Sequence, residues 1–530
     1  MKKKLMSITA AVLSAVMCLT GCGTGKKTAN VEFDVTTDGS YPIQTDAKLS
    51  YWVQLHEAVA AKYNNLGEAP FGKELVKETG IGIDFIHPPT TQVSEKFNLM
   101  IASEDLPDII EWNWYSLYPG GPHAAIEDGV ILPLNDIIEK AAPNLAKYLD
   151  EHPDVKKLIT TDEGEIYCFP MLRGSDYLNT FQGPMFRKDL LDKAGLDVPE
   201  TLDEWETALY KFKEMGVKVP LMMKLGESEI NNSFILGAYN VAGTFYLDNG
   251  KVKYGPYEEK EFTDFVTRMT KWYKDGLLDP DFTDEDIKRY NALGVSGDWG
   301  VAFGSCGGGF GSWIPAIKSA NSSAEFVPAK YPVTTKGENA KFGQKNFAFD
   351  GFGAAISTNC KNIEMAARLL DYGYSEKGIN LYNYGIEGES YTMENGVPTY
   401  TKIITDGELP MGQMIAQYAR GSYFGPMIQQ EGYMRQYAKL DEQKAGLETW
   451  LKNENTEHIL PLVTLTADEN SEYSSIMADI NTYRQETLYK TITGVTSVDN
   501  LPEYFQTLKN MGIEKAIEIN QAAYERYLKR

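Results

Sequence analysis

From Lys48 onward, apolar positions fall into short runs separated by amphipathic stretches. KLSYWVQL reads as a strand, a stretch closing at Gly80 as a helix, and IGIDFIHPP as a second strand. SEKFNLMIASED, from Ser94, reads as a helix and PDIIEW as a third strand. Strands joined by helices open a parallel α/β sheet. Helices then run from Leu134 to Thr160, broken by Pro143 and Pro153, and lead into a strand, GEIYCFPML. A second unit follows, with RKDLLDKAGLDVP as a helix stopped by Gly195. The sequence Thr201-Leu202-Asp203-Glu204 forms a capping box in which the first and last side chains satisfy free backbone N–H groups. Trp205 lies among helix-periodic residues, which predicts packing. GVAFGS and NFAFDGFGAAIST read as strands and MAARLLDYGYSEKG as a helix. In the last helix, Ile513, Ala516, Ile517, Ala523, Tyr524, Tyr527 and Leu528 share one stripe, and Arg526, Lys529 and Arg530 lie at its negative end.

One stretch breaks the strand period. In PDIIEWNWYSLYPGG, Trp112, Asn113, Trp114 and Tyr115 crowd together where a turn must begin, at the carboxyl end of the third strand. Ligands of open α/β sheets bind beyond those ends, so the rings read as displayed to a ligand. Trp52 ends the first strand, and Phe310 and Trp313 follow GVAFGS in the Gly-rich stretch CGGGFGSWIPAI. Trp52 and Trp299 each sit beside a strand-like run and fit a core position equally well.

The N-terminus alters where such a body would work. Lys2, Lys3 and Lys4 precede an uncharged apolar stretch, Leu5 to Leu19, the layout of a secretory signal and too short for a mature span. Leu19-Thr20-Gly21-Cys22 resembles a bacterial lipobox, which implies removal of residues 1–21 and lipid on Cys22. Residues 22–46 are poor in large apolar groups and read as a flexible tether with a reach of roughly 25–30 Å. This predicts the extracellular face of a bacterial cytoplasmic membrane, with membrane contact through the anchor alone.

The net charge of −23 excludes nucleic acid as a partner. Of five cysteines, Cys168, Cys306 and Cys360 remain after Cys18 and Cys22, too few and too scattered for a disulfide framework. The five histidines lie far apart, with no zinc spacing, no G-x-S-x-G elbow and no phosphate loop. No metal or cofactor is therefore expected, nor an enzyme. The carboxylate pairs Asp108 with Glu111 and Glu387 with Glu389 leave a glycoside hydrolase or lyase as the alternative. What remains is aromatic groups beside amides. A pyranose stacks its C–H face on rings and pairs its hydroxyls with groups such as Gln54, Asn113, Asn231, Asn232 and Arg173.

The ordered motifs ETGIGIDF, LMIASEDLPDII, LPLNDIIEKAAPNL, DEGEIYCFP, RKDLLDKAGLDVPETLDEW, DYGYSEKG, GIEGESY and AAYERYLKR resemble those of the extracellular solute-binding proteins, family 1, which serve carbohydrate ABC importers. The resemblance spans nearly all of residues 48–530. It implies an α/β, two-lobe periplasmic-binding-protein-like fold with hinge-connected lobes and a ligand cleft between them. Lobe 1 would be residues 47–172 with 351–430, and lobe 2 residues 173–350 with 431–530. The crossing segments would lie near Tyr167–Arg173 and Phe347–Phe352.

The implied function is capture of an oligosaccharide by a monomer and its delivery to ABC permease subunits, without catalysis. Trp52, Trp112, Asn113, Trp114, Tyr115, Arg173, Asn231, Asn232, Phe310, Trp313, Asp350 and Tyr423 are the implied ligand-binding residues. Many large members carry an acidic loop resembling a calcium site after the TLDEW helix. Here that helix runs straight into KFKEMGVKVPLMMK, so no calcium is expected there. Arg173 and Arg420 would admit a uronic acid if both face the cleft. A peptide receptor and a polymer-binding adhesin are rival readings.

Overall fold

The computed structural model describes residues 31–226, 230–420, 425–453 and 457–530. The strands, in chain order, are β1 (Lys48–Trp52), β2 (Gly82–Ile86), β3 (Ile109–Asn113), β4 (Phe169–Arg173), β5 (Gln182–Arg187), β6 (Val219–Met222), β7 (Phe245–Asp248), β8 (Lys251–Tyr254), β9 (Trp299–Ser305), β10 (Phe326–Pro328), β11 (Phe352–Ile356), β12 (Tyr391–Glu394), β13 (Val397–Tyr400) and β14 (Met427–Gln429). Two sheets organise the molecule. The first has the order β14-β4-β11-β3-β1-β2 and the second β10-β5-β9-β6. β11 runs antiparallel to both of its neighbours, as β5 does in the second sheet, and the remaining pairs are parallel. β7 with β8 and β12 with β13 are separate hairpins.

The predicted punctuation lies where the backbone needs it. The helix Pro70–Thr79 ends at Gly80 and Lys188–Ala194 at Gly195, both glycines in the left-handed region. Pro143 and Pro153 each open a new helix, where proline's missing N–H costs nothing. The Thr201–Glu204 capping box is formed, and Trp205 is fully buried.

Each sheet has its own core. One gathers Ile43 to Leu172, Phe349 to Tyr382, Ala416, Met427 and Ile428. The other gathers Tyr177 to Phe342 and later residues from Tyr384 to Ala516. Tyr384, Tyr391, Tyr400, Ile404 and Met414, expected in lobe 1, pack in this second core. The chain passes between the lobes on adjacent segments: the Arg173 N–H donates to Ala348 O and the Asn346 N–H to Asn179 O.

Two expectations about the chain ends change. Cys22 and the signal segment lie outside the described residues. The later part of the presumed tether is docked on the first lobe. Thr36 and Thr37 each donate a backbone N–H and a hydroxyl to the Glu364 carboxylate, Tyr41 donates to Arg368 O, and Ile43 is buried. In the last helix, Arg526 and Arg530 do more than face its dipole: both grip Asp162 of the first lobe, while Leu528 is exposed.

Candidate functional site

In the first sheet, the carboxyl ends of β1, β3, β4 and β14 and the start of β11 meet at one edge. There Arg173 Nη2 donates to Asp350 Oδ2 at 2.7 Å and Nη1 to Phe347 O at 3.0 Å. The Asn113 amide donates to Asp350 O at 3.2 Å and accepts from the Ser116 N–H at 2.9 Å. Three predicted site residues thus form one polar cluster where the crossing segments meet. Gly351, at φ +97°, permits it, because a Cβ there would lie 2.5 Å from Asn113 Oδ1.

In the second sheet, the end of β9, the residue Lys224 just after β6, and the start of β5 line a cavity of about 390 Å³. Its apolar side is Trp313, Tyr290, Phe303 and Phe234, and its polar side Gln182, Asn291, Ser305 and Lys224. Trp313 Nε1 donates to Asn291 Oδ1 at 3.2 Å, and the Asn232 amide to Gln182 Oε1 at 3.3 Å. Tyr290 donates to Phe303 O at 2.7 Å, fixing its ring, and Lys224 Nζ lies 5.6 Å from that ring's centre. Every lining residue belongs to the second lobe. A second cavity, of about 540 Å³, lies between the loop Tyr115–Pro122 and residues including Val463, Asn470, Tyr473 and Asn520. Tyr115 donates to Val463 O at 2.8 Å, and burial pushes its phenol well above the usual range.

The expected display of rings is corrected. Trp52, Trp112 and Trp114 lie in the first core, packed around Phe97 of the helix Val93–Ser103. Trp112 stacks on Phe97 at 4.5 Å, and Trp114 is 0 % exposed. The physical reason is that β3 lies inside its sheet with both faces covered, so all five of its residues are buried and no alternation shows. Phe310 is likewise core. Trp313 is 2 % exposed and only edges the cavity, because glycines make a slot for its ring. A Cβ on Gly294 would lie 2.3 Å from the indole, and one on Gly304 2.7 Å. Trp299 is also core, while Asn231 is exposed and Asn232 partly so. Tyr423 lies outside the described residues.

Of the suspected acid pairs, Glu387 and Glu389 are exposed, and Asp108 and Glu111 have structural work. Asp108 accepts from the Ser50 N–H and hydroxyl. Glu111 is buried, accepting from Tyr51 and ion-paired with Arg420. Neither Arg173 nor Arg420 is therefore available to a uronic acid without giving up a carboxylate.

Sequence reasoning missed Gln182, Tyr290, Asn291 and Lys224. Gln182 had a signal in its place just after the first crossing segment, whereas the other three come from a short helix and a loop with no local mark. It also missed a cluster that folding assembles: His123 with Glu163 and Glu165, all three ligand atoms within 4.8 Å of one another. After Glu214 the chain turns through Gly216 directly into β6, with no acidic loop between.

The family model for bacterial extracellular solute-binding proteins matches residues 62–379, more than half of the chain. The fructooligosaccharide ABC transporter substrate-binding protein FusA of Streptococcus pneumoniae is 25% identical, covering 99% of each chain. The lipoprotein LipO of Bacillus subtilis is 27% identical over 63% of this chain and 66% of its own. Among solved structures, the alginate-binding protein AlgQ2 matches with TM-score 0.73 and 24% identity, over 91% of this chain and 99% of its own. A human-milk-oligosaccharide (HMO) binding solute-binding protein of Bifidobacterium longum infantis matches with TM-score 0.75 and 21% identity, over 91% and 99%. These likenesses establish the two-lobe fold, and the family and its ABC transporter relatives are substrate-binding proteins rather than enzymes. The chain belongs to the bacterial extracellular solute-binding proteins.

Proposed function

We propose that this protein is the membrane-tethered receptor of an ABC importer. It captures an oligosaccharide between its lobes and delivers it, as a monomer, to the permease subunits, with lipidated Cys22 as its anchor outside the cell. The observation that carries this reading is the second-lobe cavity. Its rings can meet the C–H face of a pyranose, while Gln182, Asn291, Ser305 and Lys224 can pair with hydroxyls. It opens at the strand ends beside the crossing segments, where this class of sheet binds ligands. The names of FusA and of the alginate- and HMO-binding proteins support a glycan ligand.

In this reading Tyr290, Asn291, Gln182 and Asn232 hold the sugar from the second lobe, with Trp313 as the wall that orients Asn291. Asn113, Tyr115, Arg173 and Asp350 meet it from the first lobe and the hinge. Trp52, Trp112, Trp114 and Phe310 act from behind as packing. Engagement of Arg173 by Asp350 and of Arg420 by Glu111 favours a neutral glycan.

The test is thermal unfolding of the form beginning after Cys22, against neutral and acidic oligosaccharides and peptide pools. A ligand at a hundred times its dissociation constant adds about 2.7 kcal/mol. A selective rise with one glycan class, reduced by Asn291→Ala and Gln182→Ala, is the expected result. A flat glycan panel with a response to peptides would overturn the reading, as would release of reducing ends during prolonged incubation.

A further inference from the structure

The turn before β4 and the helix Gly121–Glu127 bring one imidazole against three carboxylates. His123 Nδ1 lies 2.8 Å from Glu165 Oε2 and 3.5 Å from Glu163 Oε2, and its Nε2 lies 3.6 Å from Glu127 Oε2. Among the described residues, His123 is the sole cationic partner of these three carboxylates. The adjacent Asp162 is held by Arg526 and Arg530 and does not join them. Even a protonated imidazole leaves the cluster with net charge of about −2, an imbalance that a bound divalent cation would cancel.

The three ligand atoms lie within 4.8 Å of one another, near enough for one metal ion to gather them. Ligand bonds of about 2.0–2.2 Å in a tetrahedron place ligand atoms about 3.3–3.6 Å apart. The separation of His123 Nδ1 from Glu163 already falls in that range, and the shorter one to Glu165 is a hydrogen bond that a metal would replace. With Nδ1 on the metal, Nε2–H faces Glu127, the arrangement in which an outer carboxylate orients a ligating histidine. The turn is held by bonds of its own: the Thr161 N–H donates to Glu165 O and the Glu165 N–H to Thr161 Oγ1.

We propose that His123, Glu163 and Glu165 form a binding site for a divalent transition metal of the zinc class, oriented by Glu127. The metal would staple the helix that follows the Tyr115–Gly120 loop to the turn that feeds β4. It would steady the first lobe without touching the second-lobe cavity.

The test uses tag-free, chelator-treated protein beginning after Cys22, with zinc, calcium and magnesium chlorides compared by calorimetry and thermal unfolding. Zinc is expected to bind one to one and raise the unfolding temperature. His123→Gln should abolish the rise, and Glu127→Gln should weaken affinity about 10–100-fold. Glu163→Gln alters a partly exposed side chain paired with His123 alone, so it should fold like the parent yet bind zinc poorly. No zinc binding at millimolar concentration would overturn the proposal. So would a zinc response equal in the parent and all three variants, or an equal calcium response that survives His123→Gln.

Discussion

Trp313 distinguishes a ring displayed to ligand from a ring that builds the wall behind it. Its indole is 2 % exposed, packed edge-on against Tyr290 at 5.7 Å and Phe310 at 5.3 Å, with Gly294 and Gly304 against the ring. An aromatic side chain of this kind buries about 150–250 Å², which at about 25 cal/mol per Å² corresponds to about 4–6 kcal/mol. Truncations of buried aromatics to alanine cost about 3–5 kcal/mol, so Trp313→Ala should destabilise by about 4 kcal/mol. At about 2–4 °C per kcal/mol for a domain of 150–250 residues, and less for a larger one, the unfolding temperature should fall by about 5–15 °C. Urea and thermal unfolding followed by circular dichroism, with and without the glycan found in the panel, measure both consequences. Sugar binding should weaken as well, because Asn291 loses the indole N–H that orients it. An unchanged unfolding temperature with weakened sugar binding would mean that the ring is displayed after all, and the reasoning about the glycine slot would fail.

Three further outcomes follow from the same geometry. Glu111→Ala should cost about 3–5 kcal/mol because it leaves the Arg420 guanidinium buried without its carboxylate, whereas Glu111→Leu with Arg420→Met and Tyr51→Phe, which also removes the hydroxyl that Glu111 accepts from, should be near neutral. Equal losses in the single and triple variants, read by urea midpoint, would argue against that account. Gly351→Ala should destabilise by about 1–3 kcal/mol and disturb sugar binding, since φ is +97° and the new Cβ meets Asn113 and Tyr115; parent-like values for both would count against the tight crossing. The bond from Lys336, with the Glu200 and Thr201 N–H groups, lowers the Glu204 carboxyl to about 2. A depressed acid contributes stability above its unfolded pKa and loses it as pH falls through the folded one, so Glu204→Gln should cost under about 1 kcal/mol at pH 7 after solvent screening. The gap between parent and variant should close between about pH 4.5 and 2, and a gap independent of pH would refute the assignment.

Legibility varied with the range of the forces involved. Helix stops at Gly80 and Gly195, the Thr201–Glu204 box, the proline-opened helices and five of the six strands of the first sheet depend on neighbours within a few residues, and those neighbours are in the sequence, whereas the three-residue β14 carries no such pattern. The site was less legible. Asn113, Arg173 and Asp350 were picked out singly, but their assembly depends on contacts across more than 170 positions of chain.

The sequence by itself determined the alternation of strands and helices and the kind of groups available to a ligand, because periodicity and capping are local. Only the tertiary structure decided which rings are core and which groups line the cavity. A strand covered on both faces hides its neighbours, and glycines on a separate helix and strand make room for Trp313. Folding also set His123 beside Glu163 and Glu165, 40 or more positions along the chain, and a charge cluster of that kind exists only once the backbone has brought its parts together.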